Sequence, residues 1–427
     1  MITVIGTGTG TPLSADSLRA VAEATLVVGG RRHLEEAAAV AGLREEIPRV
    51  VLGPLAPALD AIARQHAVAD GGRVVVLASG DPGLFGVVRA LAGRFGAGAL
   101  DVRPAAPSVA VAFARIGLPW DDAVVVSAHG RDLRTAVNVC RAHPKVAVLT
   151  GPGAGPAELG AALAGTGLPR TLVVASALGD PDGERVERLS PADAAGRDWP
   201  EPLSVVLSLD EARAHAPVPR TVAGHGPGSA RWALGEEEFT HRDSMITKFE
   251  VRALALARLG PRTGDLVWDV GAGSGSVAVE CARLGAAAIA VEKSPDGVER
   301  VRANALAHGV DVQTVHGSAP AALSRLPDPD AVFVGGGGRE LSAVVTACAR
   351  VARRTVVVAV AALDRVPAVR EALAGAGFAT GGVLLHSSRF APLPGDVTRL
   401  AATNPVFLLW GDRPAAPDPH PLQGATQ

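Results

Sequence analysis

Gly271, Gly273 and Gly275 alternate through Asp269-Val270-Gly271-Ala272-Gly273-Ser274-Gly275-Ser276, and an acid, Glu292, closes the next apolar run. Residues 265–270 read as a buried strand and residues from Ser276 onward as a helix. Ala288-Ile289-Ala290-Val291 reads as a second strand that delivers Glu292 to the same edge. A glycine-rich turn lets the backbone approach the polar tail of an adenosine-containing ligand, while the carboxylate accepts from its ribose hydroxyls. The Gly-x-Gly-x-Gly spacing, with Asp269 two residues before the first glycine, favours S-adenosylmethionine over a dinucleotide. The chain has 50 glycines, so a triplet alone could mark an ordinary turn. The preceding strand, the following helix and the placed acid argue for a site.

The N-terminal half has its own glycine loop, Val4-Ile5-Gly6-Thr7-Gly8-Thr9-Gly10, directly after a strand. The next strand, Leu26-Val27-Val28, is followed by Gly29-Gly30-Arg31-Arg32 rather than an acid, which disfavours a dinucleotide site. A sharper signal is Ala78-Ser79-Gly80-Asp81-Pro82-Gly83-Leu84-Phe85-Gly86, between the apolar run from Val74 and a helix near Val87. Asp-Pro followed by Gly favours a tight turn with exposed amides. An ordinary strand-to-helix turn is the other reading.

These loops need two α/β domains to position them, and 427 residues are enough for two or three domains. Strands are expected at 3–5, 26–28, 74–78, 124–126, 146–149, 171–175 and 204–208, and helices at 14–23, 86–94 and 156–164. The Pro- and Gly-rich stretch 214–235 reads as a linker. Residues 1–213 form the first domain, in lobes of about 1–106 and 107–213. Residues 236–411 form the second, doubly wound and continuous from about Ile246 to Trp410, and 412–427 a disordered tail. A net charge of −2 and no basic run argue against nucleic acid. Cys140, Cys281 and Cys348 lack metal-ligand spacing, so no metal site is expected. The chain enters a strand without a leader-like segment, and its apolar runs are strand-length. A cytoplasmic protein with no membrane partner is expected.

The N-terminal glycine loop, Gly80 through Gly86, and Phe113-Ala114-Arg115-Ile116-Gly117-Leu118-Pro119-Trp120 together resemble the tetrapyrrole methylase family. Gly29 through Leu34 and Ser127-Ala128-His129-Gly130-Arg131 resemble its precorrin-6Y branch. The resemblance implies a two-lobed α/β fold with S-adenosylmethionine in the cleft. Carried over residue by residue, its cofactor contacts fall on Gly80, Asp81, Leu84, Ser108 and Thr150. The family's Pro-Gly-x-Ser-Ser is replaced here by Pro104-Ala105-Ala106-Pro107-Ser108, and Pro107 has no amide to donate.

The second half resembles the class I, Rossmann-like methyltransferase of the same pathway step. The resemblance rests on Glu238-Phe239, Met245 through Arg252, Asp269 through Gly275, and Pro327 through Gly337. It implies cofactor contacts at Thr247, Gly271, Ala272, Gly273, Ser274, Gly275, Glu292 and Ala319. Relatives carry Asn-Ala-Val-Thr-Leu-Glu where this chain has Ala359-Val360-Ala361-Ala362-Leu363-Asp364.

Together the two resemblances cover nearly the whole chain. They imply methylation of a tetrapyrrole at ring carbons 5 and 15 with decarboxylation of the ring C acetate, using two S-adenosylmethionine sites, one per domain. A cobalt-containing substrate, or another substrate, stays open. A homo-oligomer is expected. Methyl transfer from a sulfonium to an electron-rich carbon needs alignment and water exclusion, so no catalytic triad is expected. Lys248, Arg252, His241 and Arg389 are candidates for holding substrate carboxylates. Lys248 and Arg252 could equally form a solvated helix face, Arg389 a surface charge, and His241 a structural or capping residue. Val334-Gly335-Gly336-Gly337-Gly338 stands where base-amino methyltransferases carry an Asn/Asp-Pro-Pro-aromatic motif, which disfavours that class.

Overall fold

The computed structural model describes residues 1–10, 12–40, 43–68, 72–200, 203–215, 223–224, 231–242 and 246–414. Most of the expected linker, Met245, and the tail from 415 onward lie outside the described residues. The chain divides into two compact units. The first comprises Met1–Leu133, Lys145–Ala164 and Pro169–Gly224; the second comprises Arg134–Pro144, Gly165–Leu168 and His225–Gln427. Two short pieces of the region read as the first domain are thus counted with the second unit.

The first unit holds two five-stranded sheets. Strands β1 (Ile2–Thr7), β2 (Leu26–Gly29), β3 (Arg49–Val51), β4 (Val74–Ser79) and β5 (Leu100–Arg103) form a parallel sheet in the order β3-β2-β4-β1-β5. The central run Val74-Val75-Val76-Leu77 is buried on both faces, as a parallel strand between helical layers requires. Ile62 and Leu91 cover one face, and Val21 and Leu34 the other. Each such buried aliphatic side chain contributes about 1.5–3 kcal/mol. Strands β6 (Val124–Ser127), β7 (Lys145–Leu149), β8 (Thr171–Ser176), β9 (Arg185–Leu189) and β10 (Ser204–Leu209) form a mixed sheet in the order β6-β7-β10-β8-β9.

In the second unit, β11 (Leu266–Val270), β12 (Ala287–Glu292), β13 (Val312–His316), β14 (Ala331–Val334) and β15 (Thr355–Val360) are parallel. The strands β16 (Ala379–Leu385), β17 (Ser388–Leu393), β18 (Val397–Ala402) and β19 (Val406–Asp412) follow. The main sheet runs β13-β12-β11-β14-β15-β19-β16, with β19 antiparallel to both its neighbours, while β17 and β18 form a separate two-stranded ribbon. Asp412 pairs with Thr355 and Ala379, and the Arg413 amide donates to the Arg354 carbonyl at 2.7 Å. The sheet therefore continues into the segment read as tail. Among the described residues no helix is long and apolar enough to cross a membrane.

Candidate functional site

In the second unit the first two central strands end side by side, so β11 releases its glycine turn beside Glu292 at the end of β12. Gly271, Gly273 and Gly275 all take positive φ angles, of 74°, 58° and 73°. At Gly271 a side chain has no room, because a Cβ there would lie 2.9 Å from Gly336 Cα on the loop after β14. Glu292 Oε2 accepts from the Gly273 amide and Oε1 from the Ser294 amide, both at 2.9 Å. Each oxygen keeps a further lone pair for a ligand hydroxyl. The Gly317 amide donates to the Glu292 carbonyl at 3.0 Å, which brings the loop containing Ala319 to the same edge.

Two buried groups hold this turn. Asn304 donates from Nδ2 to the Ser274 and Thr240 carbonyls at 2.8 and 2.9 Å, and its Oδ1 accepts from the Thr240 amide. Asp269 accepts from the Ala278 amide at 3.0 Å, one of the first-turn donors of the helix Ser276–Arg283. Burial pushes the Asp269 carboxyl up to about 7, with the Glu292 charge adding to the rise and the Ala278 amide opposing it. Its folded-state pKa is raised, so its ionisation opposes folding increasingly as pH rises from the usual carboxylate range toward 7.

In the first unit, Gly80 packs against Ala106, Pro107 and Ser108. A Cβ on it would lie 3.4 Å from the Ser108 amide nitrogen. Asp81 Oδ1 accepts from the Gly83 amide at 2.8 Å and the Asp81 carbonyl from the Leu84 amide at 3.1 Å, the tight turn expected of Asp-Pro-Gly. Phe85, half exposed, holds a φ of 55°, costly for a bulky side chain, and Arg131 lies over its ring at 5.5 Å. A cavity of about 490 Å³ opens beside this region, lined by the N-terminal glycine loop, the helix Arg31–Val40 and residues 178–181. Gly80 through Leu84 lie outside its lining. Gly6 allows the loop to close on β4, since a Cβ there would collide with the Gly80 carbonyl at 2.0 Å.

Family models match both halves of the chain. The model described as Tetrapyrrole (Corrin/Porphyrin) Methylases covers residues 1–195, and that described as Precorrin methyltransferase domain covers residues 237–409. A precorrin-6Y C(5,15)-methyltransferase [decarboxylating] of Sinorhizobium sp is 39% identical over 347 residues, 79% of each chain. The chain belongs to the precorrin-6Y C(5,15)-methyltransferase (decarboxylating) family. It is an enzyme, a precorrin methyltransferase, with an α/β tetrapyrrole methylase domain followed by a precorrin methyltransferase domain. A similarly named protein of Mycobacterium tuberculosis (strain CDC 1551 / Oshkosh) is 34% identical over 79% of this chain and 81% of its own. A probable cobalt-precorrin-6B C(15)-methyltransferase (decarboxylating) of Pyrobaculum calidifontis is 36% identical over 38% of this chain and 87% of its own.

The methyltransferase brings together Gly271 through Gly275, Glu292 and the Gly317–Ala319 loop in one unit, and Gly80, Asp81, Leu84 and Ser108 in the other. Thr150 is buried, and its hydroxyl is committed to Ser204. It lies 2.7 Å from the Ser204 carbonyl and 2.9 Å from both the Ser204 hydroxyl and amide. Thr247 gives its carbonyl to Arg252 at 2.6 Å.

Two candidates for substrate carboxylates have other partners. Arg252 is fully buried, donating to the Thr247 and Leu234 carbonyls, paired with Glu280 at 3.6 Å and lying over the Phe239 ring. The even choice between a substrate contact and a solvated helix face is therefore corrected: Arg252 is a core residue. Arg389 places its whole fork on Glu236 and Glu250, with four contacts of 2.7–3.0 Å, and is an ion-paired residue rather than a loose surface charge. Burial works against ionised Glu236, but Arg389 and the Phe249 amide outweigh it and hold the carboxyl at about 2. His241 is half-buried, and its Nδ1 has no hydrogen-bond partner among the described residues. Lys248 is half-buried at the start of the helix Phe249–Leu259.

Sequence reading missed Asn304, the Glu280 partner of Arg252, and His33, whose Nε2 lies 2.7 Å from Ser79 Oγ. Asn304 and Glu280 are polar residues on helix faces that are otherwise apolar and buried, which was the available signal.

Proposed function

We propose that the chain methylates precorrin-6Y at ring carbons 5 and 15 and removes the ring C acetate carboxyl, giving precorrin-8X, with one S-adenosylmethionine site in each unit. The observation that carries this reading is Glu292 fixed by the Gly273 amide beside a bare glycine turn. A carboxylate so oriented accepts ribose hydroxyls, and amides at a helix N-terminus suit the methionine carboxylate. S-adenosylmethionine, when bound, supplies an electrophilic methyl group. Gly80, Asp81, Leu84, Ser108 and Thr150 form the contacts in the first unit. Thr247, Gly271 through Gly275, Glu292 and Ala319 form those in the second. Lys248, adjacent to Thr247, is assigned to a substrate carboxylate. The residues' task is alignment and exclusion of water.

The first unit methylates carbon 5; the second methylates carbon 15 and decarboxylates. The functional division follows residues 1–213 and 236–411, joined by 214–235. A second reading, a cobalt-containing substrate, is favoured by the name of the Pyrobaculum relative. The chain acts as a homo-oligomer in the cytoplasm. Phe390, Val397 and Leu400 on the exposed β17–β18 ribbon, with Phe390 84% exposed, suit a contact with a second copy. Mass spectrometry of the product from precorrin-6Y and methyl-labelled S-adenosylmethionine tests the reading. Two labels gained with one carbon dioxide lost supports it, and unchanged substrate contradicts it.

A further inference from the structure

The first unit holds one more arrangement with recognisable chemistry. The His33 imidazole lies between Ser79, whose Oγ is 2.7 Å from Nε2, and Glu36, whose Oε2 is 3.4 Å from Nδ1. A carboxylate beside Nδ1 accepts from Nδ1–H and leaves the Nε2 lone pair facing the hydroxyl. His33 and Glu36 share one face of the helix Arg31–Val40 three residues apart, and Ser79 ends β4. The ring is also held by packing, since a Cβ on Gly8 would lie 2.7 Å from its Cε1. His33 is only 5% exposed, yet it lines the 490 Å³ cavity with Glu36. Ser79 is exposed and runs directly into the Gly80-Asp81 turn assigned to the methyl donor.

We propose that His33, acting through the Ser79 hydroxyl, takes up the proton that the ring substrate gives up when the first unit methylates it. This rests on the functional reading above. In that step a π pair of the ring carbon forms the new carbon–carbon bond. The sulfur–methyl bond breaks with its pair returning to sulfur, and the ring loses one proton as positive charge builds on it. Ser79 Oγ receives that proton as its own passes to His33 Nε2, leaving an imidazolium against Glu36 until solvent removes the proton. Because the proton leaves as the carbon–carbon bond forms, the base spares the ring its full positive charge and speeds the transfer.

Burial and the Arg32 guanidinium lower the His33 pKa from its usual 6.5, against the smaller upward pull of Glu36. The ring is therefore neutral and able to accept at neutral pH. The charged groups around it are Arg32 and Glu36 on its own helix and Asp180 across the cavity. β1, β2 and β4 carry no charged side chain, and β3, also packed on this helix, carries Arg49.

The test is single-turnover transfer of labelled methyl to carbon 5 by the full-length chain across the acid pH range, with His33→Gln and Ser79→Ala. S-adenosylmethionine binding and the NMR titration of the His33 ring in the ligand-free protein accompany it. Both variants should slow carbon 5 labelling about a hundredfold while binding S-adenosylmethionine normally. The unaltered chain should lose rate as pH falls through an inflection below 6.5, and His33→Gln should lose that limb. Ser79→Ala, at an exposed position, should keep the fold and shift the His33 titration. Wild-type rates in both variants, or uniform slowing with the acid limb intact, would overturn the relay. No label at carbon 5 from the unaltered chain would overturn the functional reading and the relay with it.

Discussion

Glu292 Oε2 accepts the backbone N–H of Gly273 at 2.9 Å, so the acid that ends one strand is bonded to the middle of the turn that ends its neighbour. With Ser294 on the other oxygen, the carboxylate is fixed before any ligand arrives. Orientation entropy is thus already spent when a ribose docks.

Replacing Glu292 with Gln keeps its shape but sets an amide group against donors. Hydrogen bonds to charged groups contribute about 1.5–3 kcal/mol, so S-adenosylmethionine should bind the second unit about tenfold to a hundredfold more weakly. Calorimetry on the full chain should show this loss at one site and no change at the other.

Gly271→Ala forces a Cβ toward Gly336 Cα and requires a left-handed backbone at alanine. The cost should be about 1–3 kcal/mol of stability, read by denaturant unfolding. Gly93→Ala, at a helical position with open space around it, should be neutral or stabilising in the same assay.

Arg252→Ala takes one of two guanidinium groups from buried Glu280, which keeps Arg283 at 2.9 Å, so the cost should stay within the about 3–5 kcal/mol of a fully broken buried pair. The double change Arg252→Met with Glu280→Gln should recover part of that loss. Equal instability of both would show that packing on Phe239, rather than the charge pair, sets the cost.

Arg389→Ala removes the partner that holds Glu236 at about 2. A depressed carboxyl pKa stabilises the fold above the usual 4.5, and that contribution fades as pH falls toward 2. Unfolding temperatures followed downward from pH 7 should therefore fall less steeply for the variant than for the unaltered chain. The two curves should converge at the acid end.

The glycine turn and Glu292 were legible because strand, turn and acid are local and their spacing is fixed by the β-α-β geometry. Strands such as Val74–Ser79 announced themselves as apolar runs buried on both faces. Arg185–Leu189 did not, since this edge strand carries charges on both faces, Arg185 and Glu187 on one and Arg188 on the other, and reads as loop. The Ser388–Leu393 and Val397–Ala402 ribbon was missed for a related reason: Phe390 and Leu400 are exposed, so no buried face imposes a period. Arg389 looked like a loose charge because Glu236 and Glu250 lie 153 and 139 residues away in sequence. Arg252 could have been read either way on a helix wheel, and only tertiary burial decides it.

The account's central claim is two methyl-transfer sites with a division of labour, and one comparison tests it most directly. The unaltered chain and Glu292→Ala are each given precorrin-6Y and methyl-labelled S-adenosylmethionine, and product mass and label position are read together. The unaltered chain should place labels at carbons 5 and 15 and lose one carbon dioxide. Glu292→Ala should label carbon 5 alone and keep the acetate carboxyl. A doubly labelled, decarboxylated product from Glu292→Ala at the normal rate would contradict the account.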